Sequence, residues 1–265
     1  MLRPVSNPTA LSAIHAFQAT QRSLTETLTR LSTGRRINSG SDDPAGLISS
    51  ERLAAEISSL DAQTRSLARA DANAGIAEGH AAALSGLFSD LRSLQVASAN
   101  EAGLTEGERA ANQQQIDNIV GSIQRFHGDA VASLDGFTLP DNGNADVTKL
   151  YDDALAGALS VRSGGANDLS SGNFSAAMTA LDTAATNVAT ARARIGGFQR
   201  NVVRPSIRSN EIALENLSDS LSRIADTDFA VELSRLARQQ VVAQAGIKAL
   251  KLSTKQAQSV LDLFK

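Results

Sequence analysis

The chain of 265 residues is 42% apolar but only 3% aromatic, with no Trp and one Tyr, Tyr151; a core of Ala, Leu, Ile and Val favours long, close-packed helices over a sandwich or barrel. It has no Cys, which excludes disulfide scaffolds, Cys-ligated zinc and thiol catalysis, and its net charge of −3 excludes a global basic field for nucleic acid. The first twenty residues hold no apolar core of signal-peptide length and no stretch is apolar enough to insert in a membrane, so composition alone predicts a soluble cytoplasmic chain unless a dedicated export route intervenes.

Ile14, Phe17, Gln21, Leu24, Leu28 and Leu31 alternate steps of three and four, the signature of an amphipathic helix with a narrow seam. Ser41-Asp42-Asp43 followed by Pro44 is the chemistry of a helix cap with proline in the first turn. The spacing resumes with Leu53, Ile57, Leu60, Thr64 and Leu67, then Leu84, Leu87, Leu91 and Leu94, then Ile116, Ile119, Ile123 and Phe126. Between 127 and 172 it fails among clustered glycines, Pro140 and Asp141-Asn142-Gly143, which predicts turns and a small β-hairpin region with strands near Ala130–Leu139 and Ala158–Arg162. Leu214, Leu217, Leu221 and Ile224 restore the helical pattern. Its phase shifts at Asp226-Thr227-Asp228, a second cap, and Phe229, Leu233, Leu236, Gln240, Ala243, Ile247, Leu250, Thr254, Ala257, Leu261 and Phe264 carry it to the end. The fold expected is mainly α, with long antiparallel coiled-coil helices from both termini.

Residues 1–40 carry five arginines against Glu26 alone, and 226–265 are also net basic, so the interior is acidic. The apolar seam of the last forty residues does not offset the cost of ordering them, and pairing with the N-terminal seam still leaves a thin two-helix ribbon. Ends of this kind are expected to be loose in the monomer and to order on assembly; the plainer reading is a helical bundle whose ends fold back on its own core. His15, His80 and His127 lack metal-ligand spacing, Gly75 to Gly79 has the form of a close-packing GxxxG, and phosphate-loop, GxSxG and HExxH patterns are absent. Neither a cofactor nor enzymatic activity is expected.

The stretch from Leu31 to Gly46, LSTGRRINSGSDDPAG, resembles the hallmark of the N-terminal region of bacterial flagellins, and Leu91 to Asn100, LRSLQVASAN, is similar to the family's next signature. Ser222 to Ala230, SRIADTDFA, and Gln239 to Gly246, QQVVAQAG, resemble its C-terminal counterpart. The resemblance spans about 5–130 and 190–265, and implies a compact flagellin with a reduced outer domain. It implies inner-core helices at 1–43 and 226–265, rod-domain helices at 44–126 and 173–225, and a short outer region at 127–172. Ile14, Phe17, Leu24, Leu28, Leu31, Phe229, Leu233, Leu236, Ile247, Leu250, Leu261 and Phe264 would mediate subunit packing, with Asp42, Asp43, Pro44, Asp226 and Asp228 at the helix breaks. The implied function is a structural subunit that polymerises with itself into the motility filament. The chain would leave the cell through the flagellar type III channel without a cleaved signal peptide, and meet an export chaperone on its C-terminal helix and the flagellar cap and junction proteins. Arg92 and Leu94 match the surface that a vertebrate innate receptor recognises, but Asp90 and Gln114 replace its neighbouring basic and acidic groups, so strong recognition is not expected. The alternatives are the hook–filament junction protein, whose C-terminal signature departs from the Ala245-Gly246 pattern, and a helical signalling module, which would need a membrane segment or sensory domain.

Overall fold

A computed structural model describes residues 8–99 and 103–262. The elements are α1 (Pro8–Thr33), α2 (Pro44–Ala99), α3 (Glu106–Ser133), α4 (Gly143–Ser160), α5 (Phe174–Phe198), α6 (Arg204–Ala225) and α7 (Phe229–Asp262). Local chemistry sets several of their starts. Asp43 Oδ1 accepts the Gly46 N–H at 2.9 Å, while Pro44 fills the first helical position of α2, where a missing N–H costs nothing. Thr105 and Glu108 form a reciprocal capping box at α3, and the N–H and hydroxyl of Thr105 hold the Glu108 carboxyl below its usual range. Asp228 Oδ1 accepts the N–H groups of Ala230 and Val231 at 2.9 and 3.1 Å, starting α7.

Residues 60–213 form one unit. Ala74, Ala77, Ala81, Leu84, Phe88 and Leu91 of α2 alternate steps of three and four and are all buried, as are Ala177, Leu181, Ala184, Val188, Ala191 and Ile195 of α5. Ile116, Val120, Ile123 and Ala130 of α3 and Val147, Tyr151, Ala154 and Ala158 of α4 belong to the same core. Both apolar positions of each heptad are thus covered. Burial without a hydrogen-bond partner pushes the Tyr151 hydroxyl up to about 12. Small residues let α4 and α5 approach closely: a Cβ added to Gly157 would sit 3.0 Å from both the Ala180 carbonyl oxygen and the Ala184 methyl. The helix of α5 continues into α6 through a five-residue π-turn, Gln199–Val203. Pro205 follows, lacking an N–H and crowding the carbonyl four residues back, and the wider turn accommodates it. The buried Gln199 amide donates to the Asp71 carbonyl at 3.0 Å and to Asp71 Oδ1 at 3.1 Å.

The β-hairpin expected within 127–172 is not there. Among the described residues of that region the structure has helix, turn and coil: α3 runs through Ala130 to Ser133, and Ala158 lies in α4. The Pro140 to Gly143 turn joins two helices, with Asp141 and Asn142 in the left-handed region at φ 53° and 58°. Asn144 replaces a strand partner, accepting from the Leu139 N–H at 2.7 Å and donating to the carbonyls of Leu134 and Phe137. Those backbone groups are therefore satisfied without a ladder, and Leu134, Phe137 and Leu139 are buried. Further on, Gln113 and Asp117 of α3 hold Val161, Ser163 and Leu169. Asp168 closes the 164–171 loop, with the Ser170 hydroxyl and neighbouring N–H groups keeping its carboxyl below the usual range.

The described parts of 1–59 and 214–265 form the other unit. Here α1 and α7 run antiparallel. Just beyond their facing ends, Arg35 and Asp226 form an antiparallel bridge, with Thr227 N–H donating to the Gly34 carbonyl at 2.9 Å and Arg36 N–H to that of Ala225 at 2.7 Å. Gly34 ends α1 at φ 70°, a left-handed conformation that glycine adopts without strain.

Gly157→Val is expected to lower stability by about 1–3 kcal/mol through overpacking of α4 on α5, read from the urea unfolding midpoint. A variant as stable as the parent would show that the two helices do not meet there.

Candidate assembly surface

Contacts between α1 and α7 fix their inner lines. Phe17 lies against Gly246, where an added Cβ would be 3.4 Å from Phe17 Cδ2. Gln239 donates to Ser23 Oγ at 2.7 Å, and Arg30 Nη1 meets Glu232 Oε1 at 3.3 Å. Arg235, on the same helix as Glu232, completes its partners at 2.8 Å, so that a carboxylate only 4% exposed carries two cations. Arg36 donates across the connectors to the Ile224 carbonyl at 2.7 Å.

Along α1 the covered positions include Ala13, Phe17, Thr20, Leu24, Thr27 and Leu31; along α7 they include Glu232, Leu236, Gln239, Ala243, Gly246 and Leu250. Each series alternates four and three, and of the ten expected packing residues whose side chains are described, five belong to it: Phe17, Leu24, Leu31, Leu236 and Leu250. The other five are at least two-fifths exposed, Phe229 among them although the edge of its ring lies over Gly34. Ile14 is 40% exposed, Leu28 48%, Phe229 53%, Leu233 54% and Ile247 43%. Leu11, Val241, Val242 and Leu252 add further exposed apolar surface on the same two helices. Phe264 lies outside the described residues, and so does the side chain of Leu261.

Of the residues at the helix breaks, Asp43 and Asp228 accept N–H groups at the starts of α2 and α7. Asp42 Oδ2 accepts those of Asn38 and Ser39, which depress its carboxyl. Asp226 takes part in the bridge to Arg35. On α2, Arg92 pairs with Asp182 of α5 at 3.2 Å and Leu94 is half-buried against the core, while Asp90 and Gln114 are exposed. Sequence reasoning missed Glu232 and its partner Arg30. The available signal was phase, since Glu232 lies four residues before Leu236 and seven before Gln239 on the covered stripe.

No group of three or more His, Asp or Glu suited to a metal ion occurs among the described residues, and none of their helices is long and apolar enough to cross a membrane.

Two family profiles match the chain. The bacterial flagellin N-terminal helical region covers residues 5–133, and the bacterial flagellin C-terminal helical region covers 178–264. The flagellin of Halalkalibacterium halodurans is 30% identical over 250 residues, 89% of this chain and 90% of that one. The flagellar filament 33 kDa core protein of Treponema phagedenis is 27% identical over 98% of both chains, and the flagellin of Bacillus subtilis is 24% identical over 98% of both. These matches do not favour the junction-protein or signalling readings. With both helical ends matched, and a relative 30% identical over most of its length, the chain belongs to the bacterial flagellin family, a family of structural proteins and not of enzymes.

Proposed function

We propose that the chain is a structural subunit of the flagellar filament, and that it polymerises by covering the outward lines of α1 and α7 with copies of itself. The supporting observation is the division of the seam: Phe17, Leu24, Leu31, Leu236 and Leu250 are covered within the pair, whereas Ile14, Leu28, Leu233 and Ile247, at the other heptad position of each helix, stay exposed. Completing the burial of each half-exposed side chain yields on the order of 1 kcal/mol, and a filament repeats that gain at every subunit.

In this reading 1–43 with 226–265 form the inner core of the filament, 44–126 and 173–225 the surrounding rod layer, and 127–172 the short outward face. Phe17, Leu24, Leu31, Leu236 and Leu250 hold the pair together, whereas Ile14, Leu28, Phe229, Leu233 and Ile247 meet neighbours. Leu261 and Phe264 extend the same seam by its spacing. The site of action is extracellular, as the filament names of relatives suggest, and the family resemblance supports export through the type III channel without a cleaved signal peptide. Before assembly the exposed apolar residues of α7 need a cover, which supports an export chaperone on that helix. Cap and junction proteins are further partners by family analogy. Recognition of the Arg92 and Leu94 surface by the innate receptor is proposed to be weak, because Arg92 is already engaged by Asp182.

Leu233→Asp is expected to abolish polymerisation while shifting monomer stability by no more than about 0.5 kcal/mol, since the side chain is exposed. Electron microscopy of concentrated protein beside a urea melt checks both halves, and normal filaments from the variant would refute the outward seam.

Amide exchange is expected to be fast along α1 and α7 in the monomer and slow in filaments, because a lone two-helix ribbon opens readily. Equal protection in both states, measured by mass spectrometry, would show that the ends are fixed before assembly.

A further inference from the structure

We infer that Gln95 sets the point at which the 60–213 unit opens, so that the last turns of α2 come away from the core first. Gln95 continues the stripe of Ala74, Ala77, Ala81, Leu84, Phe88 and Leu91, and like them it is covered, at 1% exposed. Every earlier member of that stripe is apolar. The amide nitrogen and oxygen of Gln95 are both buried without a hydrogen-bond partner among the described residues, and turning the amide over changes nothing when both atoms are unpaired. Two other glutamines of the unit are satisfied. Gln113 donates to Asp117 Oδ1 at 3.0 Å and to the Val161 carbonyl at 3.2 Å, and accepts the Leu169 N–H at 3.0 Å; Gln199 donates twice to Asp71. Folding strips Gln95 of water and returns no bond. Any local opening that wets this amide is therefore favoured over one that leaves it buried.

The surroundings of the two ends differ in the same sense. The ion pairs Glu78–Arg192 and Arg92–Asp182, both at 3.2 Å, set α2 and α5 antiparallel. Where α5 ends, Gln199 holds Asp71, the Asn73 amide donates to the Gly136 carbonyl at 2.9 Å, and Phe137 stacks on Phe198 with ring centroids 5.7 Å apart. Where α5 begins, the cross-helix pair is Arg92–Asp182, whose partners are both about half exposed and hold little. Asn173, at the start of α5, caps no N–H group with its side chain among the described residues and donates instead to the Ala166 carbonyl at 3.2 Å. Ser98, next on the α2 stripe, directs its hydroxyl to the Leu94 carbonyl of its own helix at 2.8 Å. The start of α3 is better fastened, by its capping box and by the bonds from Gln113 and Asp117 to the 161–169 segment. The part that opens is thus 93–99 of α2 with the first turn of α5, a sub-global unit of low stability. The inference does not depend on the assembly reading. For a subunit that must come apart to pass through an export channel, it names the end at which unfolding starts.

Gln95→Met keeps the length of the side chain and removes both polar atoms. Hydrogen exchange of dilute full-length protein, read by mass spectrometry and corrected for intrinsic rates, compares 93–99 with 64–73 near the opposite end. In the parent, 93–99 is expected to exchange the faster of the two. Gln95→Met is expected to slow 93–99 by about tenfold or more with helicity by circular dichroism kept. Gln199→Met, which removes satisfied bonds, is expected to speed exchange at 64–73. Exchange at 93–99 that Gln95→Met leaves unchanged or faster would show that the amide is not a penalty, and slower exchange there than at 64–73 in the parent would place the opening elsewhere; either result overturns the inference. If Gln95→Met loses helicity, Gln95→Leu decides on the same readout, and loss of helicity in both also overturns it, because the amide then contributes to the fold.

Discussion

The constraint on which the rest depends is the number of partners available to a heptad stripe. Within residues 60–213, α2 and α5 bury both positions of the repeat, because the core there takes side chains from four helices. In the α1–α7 pair the same repeat meets one partner helix, and a single helix covers only one side of a stripe roughly a hundred degrees wide. Phe17, Leu24 and Leu31 go inward while Ile14 and Leu28 remain in solvent. One sequence period therefore has two outcomes in one chain, and the difference between a finished core and an unfinished one is what links this fold to assembly.

Much of the helical architecture was legible. Steps of three and four located the helices, and the Asp-Pro and Asp-Phe junctions located the starts of α2 and α7, because a side-chain acceptor just before a run of unpaired N–H groups is needed at a helix start wherever that helix packs. The division of the seam was not legible: Ile14 and Phe17 are equivalent in spacing, and only the position of the partner helix separates them. The expected hairpin failed for a related reason. Pro140, Asp141, Asn142 and Gly143 specify a reversal of the chain, and a reversal joins helices as readily as strands. Asn144 decided the matter by satisfying three backbone groups on its own, a role with no periodic signature.

The carboxyls with lowered values sit at the connections. Asp42, Glu108 and Asp168 each accept N–H groups of a turn or helix start, and their carboxyls are held below the usual range. A lowered value in the folded state means stabilisation that is complete above the ordinary carboxylate range and fades as the pH falls through the lowered value. Acid therefore acts first on the joints. The seams are held chiefly by burial of apolar side chains, so the helices and their connections respond to different variables, one to burial and the other to protonation.

The inner face of the α1–α7 pair alternates large apolar residues, Phe17, Leu24 and Leu31 on one helix and Leu236 and Leu250 on the other, with small ones, Ala13, Thr20 and Thr27 on the first and Ala243 and Gly246 on the second. An interface of large side chains alone would have held the two helices more firmly and further apart. Small residues let them approach closely, as Gly246 shows by admitting the Phe17 ring, and this gives a slender pair with a large perimeter relative to its core. Many of its large apolar side chains are consequently carried on the outside, among them Leu11, Ile14, Leu28, Leu233 and Ile247. For a protein that functions alone this allocation would be a liability to aggregation; for a subunit surrounded by copies of itself, the residues omitted from the intramolecular seam are those available to the intermolecular one.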